Sequence, residues 1–121
     1  MKKLFFTFSV IMAAVSCTTK NPFLTQWNTP YGIPDFTQIQ ESHYIPAIEA
    51  GIAQQQSEIE AIIANTDAPT FANVVEAYER SGAILDRVSL VLFNVSESDA
   101  TESLQKIVEQ VLPMLSEHSN D

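Results

Sequence analysis

Ile45, Ile48, Ile52, Ile59, Ile62 and Ile63 recur at spacings of three, four and seven, while Gln54, Gln55, Gln56, Glu58 and Glu60 fill the opposite side of the same stretch. A single apolar stripe on a polar segment predicts a helix over about 42–64. Ser42 is placed to cap its free amides, and Pro46 falls in the first turn, where a missing N–H costs little. Asn65-Thr66-Asp67-Ala68-Pro69 ends it, with Pro69 blocking continuation.

A second helix is predicted over about 70–93, with Thr70 as a plausible N-cap. Val74, Val75, Tyr78, Ile84, Leu85, Val88, Val91 and Leu92 make a stripe broad enough to contact elements on two sides. Ser81-Gly82-Ala83 interrupts it with small residues, at a cost of about 1 kcal/mol for the glycine. Close approach of another helix and simple local weakness both account for that interruption. Asn94 to Ser98 reads as a short polar connection, in which Asn94-Val95-Ser96 matches the glycosylation pattern by accident. A third helix is predicted over about 99–116, capped by Ser98 or Asp99 with Glu102 in capping-box position. Leu104, Ile107, Val108, Val111, Leu112 and Leu115 supply its core face, and Pro113 should kink it or end its regular hydrogen bonding.

These elements define an all-α fold of three antiparallel helices, each spanning roughly 27–35 Å at 1.5 Å per residue. No stretch alternates with period two, and the stripes do not repeat residue for residue.

The first forty residues follow different rules. Met1-Lys2-Lys3 and the uncharged apolar run Leu4 to Val15 form a secretory signal peptide over residues 1–16, too short for a spanning helix. Cys17 is the sole cysteine and closes no intrachain disulfide. Its place after Ala14-Val15-Ser16 resembles a bacterial lipobox, so Cys17 is the expected lipidation site; ordinary signal-peptidase cleavage is the alternative. Such an anchor buries methylenes at about 0.8 kcal/mol each. The expected location is the periplasmic side of a bacterial membrane, lipid-anchored to the outer membrane. Residues 17–40 read as an extended arm, because Pro22, Pro30, Gly32 and Pro34 oppose a helix. Phe23, Trp27, Tyr31 and Phe36 are too many for a linker and should pack on a body of protein.

Charge narrows the partners. Of 121 residues 6 are basic and 15 acidic, a formal charge of −9. Loss of Lys2 and Lys3 with the signal peptide takes it to −11. With no Lys/Arg cluster to offset it, this surface repels phosphate backbones, which excludes nucleic acid as a partner.

The stretch Ile33 to Gly51 carries a resemblance: a Pro-Asp-Phe opening, the helix start Glu41-Ser42-His43-Tyr44, and Pro46-Ala47-Ile48-Glu49 in the first turns. It is followed by Ala68-Pro69-Thr70-Phe71-Ala72-Asn73-Val74-Val75-Glu76, by Ser81-Gly82 to Asn94, and by Leu112-Pro113-Met114-Leu115-Ser116-Glu117-His118. This ordered series, covering Asn21 to Asp121, resembles the N-terminal region of the peptidyl-dipeptidase and thimet-oligopeptidase family of zinc metallopeptidases. The resemblance implies that residues 41–121 are the N-terminal helical portion of a larger helical peptidase, truncated before its catalytic part. In that family these helices build one wall of a deep channel that excludes folded proteins. The implied partners are the remainder of the peptidase chain and short peptide substrates, and zinc is the implied cofactor of the full-length enzyme.

The residues themselves supply no such chemistry. A zinc hydrolase of this kind needs two histidines one helical turn apart, with a glutamate beside the first. His43 is followed by Tyr44, Ala47 stands where a second histidine would be, and His118 is most of the chain away. No Gly-x-Ser-x-Gly turn or phosphate loop occurs. His43 is expected to serve helix-start packing and capping, His118 to favour the C-terminal end of its helix dipole, and Glu58, Glu60, Glu76 and Glu79 to be solvated. The expectation is therefore no catalytic, cofactor-binding or metal-ligating residue in this chain, and no peptidase activity from it alone. The alternative reading is a free-standing acidic helical lipoprotein that binds a partner through an exposed apolar stripe.

Overall fold

The computed structural model describes residues 20–120. The predicted signal peptide, Cys17 and Asp121 lie outside them. Four helices, α1 (Tyr44–Ile63), α2 (Glu76–Arg80), α3 (Ala83–Ser98) and α4 (Glu102–His118), follow one another, with single 3-10 turns at Pro22–Leu24, Pro30–Gly32 and Glu41–His43. No strand occurs among the described residues, and none of their helices is long and apolar enough to cross a membrane. The three long helices run up, down and up. Gly51 of α1 lies against Leu85 of α3, and Glu58 further along α1 meets Gly82 ahead of α3. Meanwhile α4 starts beside Glu41 and ends beside Gln55.

Their seam is the core. Ile48 from α1, Leu85, Val88, Val91 and Leu92 from α3, and Leu104 and Val111 from α4 are buried together, as the stripes predicted. Phe23, Tyr44 and Ala47 complete it. Phe23 is wholly buried, with its ring 5.3 Å from Tyr44 and 6.3 Å from Trp27. Arg87 of α3 lies 4.9 Å over the Trp27 ring and donates to the carbonyls of Phe23 (3.3 Å) and Thr25 (2.9 Å). The arm's first half thus docks on the bundle. Its second half is looser: Tyr31 is 99% exposed and Phe36 faces outward, while Ile39 packs against the core.

Several boundaries differ from those predicted. Residues 70–93 are not one helix. Thr70 caps as expected, accepting from the Asn73 amide at 3.1 Å, while Asn73 Oδ1 accepts from the Thr70 amide at 2.7 Å. A wide π turn over Phe71–Val75 then leads into α2, which stops at Ser81. Gly82 takes the left-handed φ of 77°, a conformation that costs other residues roughly 1–2 kcal/mol. Its N–H donates to Glu58 Oε2 at 2.8 Å, so a carboxylate from α1 meets the positive end of α3. Glu58 is therefore a cap, not a solvated side chain. The break swings the earlier half away from the bundle, which is why Val74, Val75 and Tyr78 are exposed instead of forming the predicted core face.

Asn94 to Ser98 is the last turn of α3, not a connection. Asp99 closes that helix, its N–H bonded to Val95, so it is unavailable to open the next. Thr101 caps α4 in its place, accepting from the Leu104 amide at 3.1 Å. Pro113 does not end α4, which continues to His118, and Leu112, expected in the core, is exposed. At the start of α1 the predicted Ser42 cap is absent: Gln40 precedes the turn, and its N–H donates to His43 Nδ1 at 3.1 Å.

A Cβ at Gly82 would meet the far end of Gln55 at 2.4 Å. Gly82→Ala should therefore cost about 1–2 kcal/mol, read as a lower urea midpoint. An unchanged midpoint would show that the left-handed turn is not required.

Candidate functional site

His43 and His118, the chain's two histidines, sit at different levels of the bundle. His43 holds the start of α1: its ring accepts from Gln40, and its carbonyl accepts from Asn21 Nδ2 at 2.8 Å. The capping role expected for it is what the geometry provides. Beside it, Glu41 Oε1 accepts from Thr101 Oγ1 at 3.1 Å and Ser103 Oγ at 2.9 Å, joining the starts of α1 and α4. A concavity of about 190 Å³ opens there between Phe36, Ile39, Tyr44, Val95 and Leu104.

Tyr44 lines this hollow. Burial first, and the Glu41 carboxylate second, raise its pKa above the ordinary 10.0. A phenol held neutral by the fold leaves stability intact below the unfolded pKa of 10.0 and withdraws it as pH rises through the folded value. Urea midpoints should therefore fall above about pH 10, and Tyr44→Phe should flatten that fall. A wild-type midpoint indifferent to alkaline pH would contradict the placement.

His118 lies in the last turn of α4, with its Nε2 2.7 Å from Gln55 Oε1. With that oxygen accepting, Nε2 carries the proton. Nδ1 is buried and meets no partner among the described residues. Around it, hollows of about 340 and 360 Å³ are lined by Glu49, Ile52 and Met114 on one side and by Ile59, Glu60 and Ile63 on the other. Gln55, Glu58 and Gly51 carry contacts between helices, and Arg87 carries the contact to the arm, none of which periodicity singles out. Their only signal is a glycine, a charge or an amide on a helix whose face is readable but whose neighbours are not.

The zinc implied by the resemblance does not fit these residues. Gln55, which marks the level of His118, follows His43 by twelve residues, roughly 18 Å along a helix. One ion cannot be shared over that span when each bond to zinc is about 2 Å long. Among the described residues no three His, Cys, Asp or Glu side chains come together as a metal site would require.

What the surface offers instead is apolar. Phe71, Val74, Val75, Tyr78 and Ile63 are exposed around α2 and the end of α1, and Tyr31, Ile33 and Phe36 in the arm. The chain is 42% identical over 104 residues to dipeptidyl carboxypeptidase of Escherichia coli, covering 86% of this chain and 15% of that one. The chain belongs to the thimet oligopeptidase family. Within that family it is also 41% identical over 101 residues to dipeptidyl carboxypeptidase of Salmonella typhimurium, 84% of this chain and 15% of that one. Oligopeptidase A of the same organism is 25% identical over 99 residues, 82% and 14% of the two chains. The chain thus spans about one seventh of the length of these thimet oligopeptidase relatives. No family model matches it.

Proposed function

We propose that these helices are one wall of an exported zinc peptidase that cleaves short peptides, releasing C-terminal dipeptides. The observation that carries the reading is the match to two dipeptidyl carboxypeptidases at 42% and 41% identity over most of this chain and 15% of theirs. Zinc, and the ligands that hold it, belong in this reading to polypeptide outside residues 20–120. Bound there, the metal would activate water and polarise the scissile carbonyl. The residues described here would shape and shield the cleft, as long interlocked helices on a shared core are suited to do. Cys17 would carry the lipid that holds the enzyme at the periplasmic face of the outer membrane.

The partner-binding alternative draws on one observation, the exposed apolar stripe of the Phe71–Val75 turn and α2. Replacing the matched stretch of the Escherichia coli dipeptidyl carboxypeptidase with this chain's own residues decides between them. The wall reading expects a soluble chimera that releases C-terminal dipeptides and loses activity to a chelator. An inactive chimera favours the partner-binding module. The chain by itself should show no zinc-dependent peptidase activity, and turnover from it that a chelator abolishes would overturn the division of labour.

A further inference from the structure

Phe71, Val74 and Val75 in the π turn and Tyr78 in α2 are apolar and exposed together, as side chains that receive a packing partner are. In this structure the stripe faces solvent: Phe71 is 68% and Tyr78 58% exposed. The segment's side-chain bonds are local, Thr70 with Asn73 and Arg80 with Glu76 at 3.4 Å. Its orientation is nevertheless fixed, because the break at Gly82 is pinned from α1 by Glu58. A stripe that is held in place and left open suits something that packs on it.

Resting on the reading that these helices belong to a larger peptidase, we propose that the Phe71–Tyr78 stripe is the seam receiving an apolar helix of the same polypeptide from outside residues 20–120. Two observations select that occupant over a second copy. Glu76 and Glu79 lie on the stripe's flank, and Arg80 is engaged by Glu76. A second copy would therefore bring like charges together in a chain of net charge −9. The 104 matched residues are 15% of the Escherichia coli dipeptidyl carboxypeptidase, so a longer polypeptide of that kind has ample chain to supply the partner helix.

The test is Phe71→Asp with Tyr78→Asp, made both in the chimera described above and in this chain alone. In the chimera, two carboxylates forced into an apolar seam should lower the yield of active enzyme roughly tenfold or more. Phe71→Leu with Tyr78→Phe should retain activity, separating a need for apolar surface from mere sensitivity of the position. In the chain alone the double Asp variant should keep its urea midpoint and bind less hydrophobic dye. An active chimera indifferent to the double Asp variant overturns the seam while leaving the peptidase reading intact. A chimera inactive with the unaltered stripe overturns both. A dimer of the chain alone that the double Asp variant dissociates makes a second copy the occupant and overturns the seam.

Discussion

Phe23→Ala should cost about 3–5 kcal/mol of stability and release the arm from the helices. Phe23 is 0% exposed and forms part of the core, although it lies well ahead of the first long helix, which starts at Tyr44. Its removal opens a cavity against Tyr44 and leaves Trp27 without its aromatic neighbour. The two carbonyl bonds from Arg87 and its stacking on Trp27 then hold a strand of chain with no buried anchor. Part-buried contacts of that kind are worth about 1–3 kcal/mol each, but without the ring nothing buried holds them in place. A shift in urea midpoint, together with new protease sensitivity before Tyr44, would report the loss. A variant within about 1 kcal/mol of the parent would mean that the arm contributes little to the fold.

Gly51→Val should rank next, at about 2–3 kcal/mol. A Cβ at Gly51 would lie 2.9 Å from both the Cα and the backbone N of Leu85. A clash with backbone is not relieved by a rotamer change, so α1 and α3 must separate along the seam that buries Ile48, Val88 and Leu92. Opposing this, removing a glycine from a helix interior returns up to about 1 kcal/mol of propensity. Packing wins for valine, whereas Gly51→Ala should be less severe because its gain in propensity is largest. Equal stability of the valine variant and the parent would show that the helices are free to move apart.

These two residues also mark where sequence reasoning stops. Ile45, Ile48 and Ile52 of α1 and the Leu104-to-Val111 stripe of α4 are legible because periodicity fixes a helix and its inner face, although Ile63, read into the same stripe, is exposed. Gly51 gives only a weak signal, a glycine inside a strong helical pattern, whereas the small residues around Gly82 draw the expectation of close helix approach there. The break at Gly82 was not legible as a break. One glycine costs a helix about 1 kcal/mol, too little to decide the matter, and the decisive contact comes from Glu58, twenty-four residues earlier. Periodicity likewise found the Val74-Val75-Tyr78 stripe but could not say that it would face outward. The start of α4 was misplaced because Asp99 and Thr101 are both competent caps, and only the structure shows Asp99 already spent on closing α3.

The account rests on these helices being part of a polypeptide far longer than the stretch that carries them. Immunoblotting of native cell extract with an antibody raised against α1 to α4 measures that directly. The expected result is one membrane-associated species several times heavier than 13.4 kDa. A single species at or just below 13.4 kDa would contradict it.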